Sequence, residues 1–188
     1  MRIGILELMS AGATRRWDHT AYNHIVTKQY ASIMPQAISV WCRNLGHEVF
    51  YTTYFGNQDP KSLLPKNLDV VFISSYTQAS ALAYALSKLY RKEKTLTVIG
   101  GPHAKQFPED CLRFFDIVVG DCDKTLIAEI LKDKPRGQIL SSGRILRNIP
   151  GIEERMPEIR ASTFLKGKPF PFTSVPLITS LGCPNSCD

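Results

Sequence analysis

Cys183 and Cys187, four positions apart in "GCPNSC", carry the one spacing in this sequence that suggests metal ligation. Thiolates are soft ligands that hold iron–sulfur clusters, and two of them need further donors to close a site. A second set of candidates is small and polar. It comprises the hydroxyl run Ser74, Ser75, Tyr76 and Thr77, the stretch Gly100, Gly101, Pro102 and His103, and Gly120 with Asp121. Hydroxyls both donate and accept hydrogen bonds. Paired glycines let a bulky ligand lie directly on the backbone, or else form only a tight turn between strand and helix. His103 stands just beyond them, placed either to touch a ligand or to cap the next helix.

The elements that must position these residues alternate strand and helix over the first 132 positions. "RIGILEL" reads as a buried strand. Ile33, Ala37, Trp41 and Leu45 recur every fourth residue, with Ile38 widening the stripe, and Gly46 ends that helix. "HEVFYTTY", "LDVVFISS", "TLTVIGG" and "FDIVVGD" supply four more strands. Between them lie a helix with Leu82, Leu86 and Leu89 on one face, the short helix "PEDCLRFF", and "DKTLIAEILK" with Asp123 as its cap. Five such units predict an α/β fold, a Rossmann-like (flavodoxin-type) five-stranded parallel sheet with helices on both faces. Trp41, Leu45, Leu82 and Leu86 are expected to be buried. Ligands of such sheets bind beyond the carboxyl ends of the strands, where all the small polar candidates fall.

The rhythm ends near residue 132. Residues 133–174 are rich in Pro, Gly and charge, and read as an irregular interdomain connector with at most a short hairpin around Ile139 and Ile145. "VPLITSLGC" begins a new strand, so residues 175–188 are expected to start a second domain. With 188 residues, one domain of about 100 to 150 residues plus a remainder is the natural partition. The net charge of +6 is scattered along the chain, and the cluster Lys88, Arg91, Lys92 and Lys94 complements a helix C-terminus, so no nucleic-acid partner is expected. No run approaches the roughly 18 apolar residues of a membrane span. The N-terminus lacks a signal-peptide layout, which leads to an expectation of a cytoplasmic protein without a membrane partner. Cys42 and Cys111 fall within helix-like segments as small hydrophobes, and Cys122 lies just past a strand.

Neither GxxxxGK[ST] nor GxGxxG occurs, so those nucleotide loops are absent. An FMN loop after the first strand would have only Gly12 and Thr14 from "MSAGAT", and a receiver's carboxylate at the end of the third strand is replaced by Ser74 and Ser75. The combination of "VVFISSYTQAS", "TVIGGPHAKQFPED", "DIVVGDCDKTL", the Pro-rich connector and "ITSLGCPNSC" resembles the cobalamin-binding radical S-adenosylmethionine (SAM) enzymes. In that family a Rossmann-like cobalamin domain precedes a partial TIM-type barrel. The barrel's first strand leads into C-x3-C-x2-C, which holds a 4Fe–4S cluster that binds SAM.

The resemblance implies that cobalamin is the cofactor of residues 1–132. It matches Ser74 and Tyr76 to the family's Ser-x-Leu contact, Gly100 and Gly101 to its Gly-Gly, and Gly120 with Asp121 to the loop after the fifth strand. Cys183 and Cys187 match the first two cluster cysteines, the third falling just beyond Asp188. The chain is therefore expected to be a non-catalytic fragment of such an enzyme. Cluster, SAM and an unknown small-molecule substrate would belong to the full-length parent, a methyltransferase or related radical enzyme. The DxHxxG motif that supplies cobalt with a histidine in many cobalamin domains is absent; Asp18, His19 and His24 lie in the first loop without its spacing. Cobalamin held without a protein histidine is the expectation. Two alternatives stay open: a flavodoxin-like FMN domain, and a degenerate interaction module with no ligand.

Overall fold

The computed structural model describes residues 1–10, 32–56, 59–143, 146, 148–162, 175 and 177. Cys183, Cys187, Gly12, Thr14, Asp18, His19, His24 and, apart from Val175 and Leu177, the strand expected after residue 174 lie outside the described residues. Strands β1 (Arg2–Leu8), β2 (Glu48–Tyr54), β3 (Val70–Ser75), β4 (Leu96–Gly100), β5 (Ile117–Val119) and β6 (Gln138–Leu140) form one sheet in the order β2-β1-β3-β4-β5-β6. Every neighbouring pair is parallel. The helices are α1 (Ile33–Asn44), α2 (Ser80–Lys92), α3 (Pro102–Gln106), α4 (Pro108–Leu112), α5 (Lys124–Asp133) and α6 (Met156–Ser162). The topology is Rossmann-like, and the strand order reverses between β1 and β3.

Alternation along the strands divides the core in two. Leu6, Leu8, Val71, Ile73, Ile99 and Val118 face Ala83, Leu86 and Tyr90 of α2 and Cys111 of α4. Ile3, Ile5, Val70, Phe72, Leu96 and Val98 face Ala37 and Trp41 of α1 and Ile127 and Ile130 of α5. Such two-sided burial is why β3 and β4 read as unbroken apolar runs rather than alternating ones. Asp123 accepts from the Leu126 backbone N–H at 2.8 Å and caps α5 as its sequence position suggested.

Two expectations need correction. Among the described residues the sheet has six strands instead of five, because "QIL" within the tract read as an irregular connector pairs parallel with β5. Ile139 therefore joins the sheet edge opposite Val118 of β5, and Ile145, the other half of the expected hairpin, lies outside the described residues. The connector also contains α6, which packs against β2 and α1. Its Glu158 is buried and accepts from Ser39 Oγ at 2.6 Å and from Arg43; its neighbour Arg155 donates to Gln36 Oε1 at 2.7 Å. The alternation of charged and apolar residues in 150–162, which reads as solvated loop, comes from these cross-element pairs.

Two helix faces also differ from expectation. Trp41 and Leu86 are buried, but Leu45 is 38% exposed and Leu82 only half-buried. Leu45 follows the last residue of α1, at the C-cap, so the turn into Gly46 rotates it off the helical stripe. In α2 the buried stripe is Ala83, Leu86, Ser87 and Tyr90, one position along from the leucine series, which leaves Leu82 and Leu89 on its flank. Leu86→Ala is therefore expected to destabilise by about 2–5 kcal/mol. Leu45→Ala should stay within about 0.5 kcal/mol, and urea titration of the two variants checks the contrast.

Candidate functional site

At the carboxyl edge of the sheet the backbone register brings three residues into line. Glu7 of β1 pairs with Ser74 of β3, and Ser74 pairs with Gly100 of β4. All three share a face with Ile5, Phe72 and Val98, which form the next row inward and are likewise paired strand to strand. Above this face α1 and α5 leave between them a cavity of about 640 Å³. Its floor is the row Ile5, Phe72 and Val98; Met34, Pro35 and Ile38 of α1 and Ile127 of α5 form its walls. Ser74, Gly100, Gly101, Val119, Gly120, Asp121 and Cys122 surround its outer part, and Ile73, Gly143 and Leu146 complete the lining.

The three glycines of the rim act differently. A Cβ built on Gly100 would come no closer than 3.7 Å to any atom, and one on Gly120 no closer than 3.8 Å. At these two positions the missing side chain leaves free space at the cavity. Gly101 has φ +93°, and its Cβ would meet Ser74 Oγ at 3.0 Å and the Ser75 backbone at 3.1 and 3.2 Å. It is required by the turn itself, a conformation that costs other residues dearly.

The sequence-derived candidates thus separate into two groups. Ser74, Gly100, Gly101, Gly120 and Asp121 come together at one cavity. Ser75 is fully buried, with its Oγ donating to the Tyr76 carbonyl at 2.9 Å. Tyr76 is 41% exposed, and its hydroxyl lies 3.2 Å from Ser32 Oγ, bridging the β3 loop to the start of α1. Thr77 opens a short 3₁₀ turn. Pro102 opens α3, and His103 is buried on the other side of the sheet edge, away from the cavity lining.

His103 is held at both ring nitrogens, Nε2 lying 2.7 Å from Tyr84 Oη and Nδ1 3.4 Å from Thr77 Oγ1. Because the Tyr84 hydroxyl donates to Asp110 Oδ2 at 2.8 Å, Nε2 carries the proton and Nδ1 accepts. Burial lowers the imidazole pKa, which keeps this neutral form. His103 braces α2, α3 and α4 and does not face the cavity.

Sequence reasoning missed two features. One is the apolar lining, which strand parity would have identified: Ile5, Phe72 and Val98 are the inward residues one step before the polar edge. The other is Glu7, the single carboxylate in "RIGILEL" and inward by the same parity. It is fully buried and accepts from the Ser32 backbone N–H at 2.6 Å and from Tyr51 Oη at 3.2 Å. Burial outweighs these bonds and raises its pKa from 4.5 to about 7. The Cys122 thiol is pushed up to about 12, by burial first and then by the carboxylates of Asp123 and Asp121, so it stays protonated at the cavity. No group of three or more His, Cys, Asp or Glu side chains could hold a metal ion among the described residues. No helix among them is long and apolar enough to cross a membrane.

The lining suits a large, partly flat organic cofactor: an apolar interior to exclude water, a rim cleared of side chains, and few polar groups to orient it. Cobalamin has these parts, an amide-fringed corrin and a dimethylbenzimidazole base on a nucleotide tail. Of the described residues lining the cavity, none is a histidine. No curated protein and no solved structure matches the chain significantly. The family model described as "B12 binding domain" matches residues 30–130, from the start of α1 through most of α5. The chain belongs to the B12-binding domain family.

Proposed function

We propose that this protein binds cobalamin at the carboxyl edge of the sheet, with the corrin over Gly100 and Gly120 and the dimethylbenzimidazole base in the cavity between α1 and α5. The observation that carries this reading is the pairing of a side-chain-free rim with an apolar cavity at one end of the sheet. The corrin's peripheral amides need hydrogen-bond partners or water, which the aliphatic interior does not offer. The base, flat and without N–H groups, is the part of the cofactor that loses least there. Ser74 and Asp121 stand at the rim, where a hydroxyl and a carboxylate can accept from corrin amides. Asp121 pairs with Lys105 at 3.0 Å, and both side chains are largely exposed.

Bound cobalamin supplies a cobalt–carbon bond suited to methyl transfer. The contribution of this chain is to bind, orient and exclude water. Its parent is proposed to be a cobalamin-dependent radical SAM enzyme with a 4Fe–4S cluster and an unassigned small-molecule substrate. Support for that finer reading comes from the sequence alone, through the spacing of Cys183 and Cys187. Reconstitution of the natural polypeptide with iron and sulfide, followed by iron analysis, tests it; a natural polypeptide with no third cysteine two residues beyond Asp188 and no bound iron sinks it.

Cobalamin binding is tested by mixing the purified protein with hydroxocobalamin and desalting. Corrin absorbance should stay with the protein, with a spectrum lacking the features of base-coordinated cobalt, because a base held between the helices cannot reach the metal. If FMN is retained and cobalamin is not, the flavodoxin-like alternative replaces this reading.

A further inference from the structure

We infer that the cavity selects the chemical class of the cofactor's lower base, accepting benzimidazole-type bases and rejecting purines. This rests on the cobalamin reading above and goes beyond it in naming which corrinoids bind. Naturally occurring corrinoids share one ring system and differ in this base. An adenine base carries an exocyclic amine with two N–H donors and two further ring nitrogens that accept, whereas dimethylbenzimidazole presents two methyl groups at the corresponding edge.

The interior offers nothing to an exocyclic amine. The side chains of Ile5, Phe72 and Val98 below and of Met34, Ile38 and Ile127 above lack strong hydrogen-bonding groups. The backbone beneath is committed, since β1, β3 and β4 are paired on both sides along this stretch. The polar side chains of the lining, Ser74, Asp121 and Cys122, belong to the outermost row or to the loop after β5. A purine seated to the same depth would bury its amine unsatisfied. Such a group typically weakens binding by about tenfold to a hundredfold. The methyl groups of dimethylbenzimidazole instead gain contact with the aliphatic walls.

Three probes separate the possibilities, each titrated against the natural protein by the change in corrin absorbance. They are hydroxocobalamin, the corrinoid identical to it except for adenine as lower base, and cobinamide, which has no base. Hydroxocobalamin should bind about tenfold to a hundredfold more tightly than the adenine form, and cobinamide should also bind more weakly than hydroxocobalamin. Equal affinity for cobalamin and the adenine form overturns the selectivity while leaving cobalamin binding in place. Equal affinity for cobinamide shows that the cavity does not hold the base at all. Failure of all three to bind folded protein refutes the underlying reading.

Val98→Thr is nearly isosteric and sets one hydroxyl in the floor. It should narrow the preference by improving binding of the adenine form. Met34→Gln, on α1 and half-buried, does the same with less risk to folding. If both variants fold and neither changes the ratio, the apolar lining is not what selects.

Discussion

Gly100→Val is expected to leave the sheet folded and to weaken corrinoid binding by more than about tenfold. Gly100 shares its face with Val98 and Leu96, so its new side chain would project from the sheet into the rim of the cavity. The nearest atom to its Cβ is the Val119 carbonyl oxygen at 3.7 Å, an ordinary contact that folding tolerates. Two further methyl groups would then occupy space that the corrin needs.

Gly101→Val makes the informative contrast. At φ +93° and 3.0 Å from Ser74 Oγ, a β-branched residue strains the turn by on the order of 1–3 kcal/mol before any crowding is counted. Loss of binding in that variant would report on folding, whereas in Gly100→Val it reports on the site. Thermal melts beside corrin titrations distinguish the two. Binding by a folded Gly100→Val protein with unchanged affinity would mean that the corrin does not lie there.

The second large effect belongs to Glu7. Its carboxyl has a folded pKa of about 7 against 4.5 when unfolded, so the native state holds its proton more tightly. Stability from this group is fully present below pH 4.5, declines as pH rises toward 7, and is lost above that. The difference is on the order of 3 kcal/mol. Glu7→Gln keeps an acceptor for the Ser32 N–H and removes the buried charge. It should stabilise the protein at pH 8 by a few kcal/mol and have little effect near pH 4.5. The buried His103 pulls the opposite way at acid pH, since its lowered pKa favours the neutral ring, and it is common to both proteins. The difference between their urea midpoints across pH 4.5 to 8 therefore isolates Glu7. A difference that does not grow with pH would show that the carboxyl is not raised.

The same residue shows what could be read from the sequence. Apolar runs and glycine stops identified five strands and their carboxyl-edge loops, because a doubly covered parallel sheet imposes those patterns directly. They also marked Ser74, Gly100, Gly101, Gly120 and Asp121, which do meet at one cavity. β6 escaped because three residues at a sheet edge carry no periodicity; their placement comes from pairing with β5. α6 escaped because its buried Glu158 and the adjacent Arg155 read as solvated charge until Ser39, Arg43 and Gln36 are seen opposite. His103 was ambiguous in sequence because a histidine after Gly-Gly-Pro suits a ligand as well as a brace, and only Tyr84 and Asp110, brought in from α2 and α4, decide its bonds. Glu7 and the apolar floor were legible by strand parity, yet a search for polar loop residues passes over them.

The cavity and its glycine rim are proposed to hold cobalamin. Equilibrium titration of the purified protein with hydroxocobalamin, followed by desalting and absorbance, tests it most directly. Retention of about one corrin per chain, with the base displaced from cobalt, is the result expected here. Protein that is folded by circular dichroism and retains no corrin would contradict it.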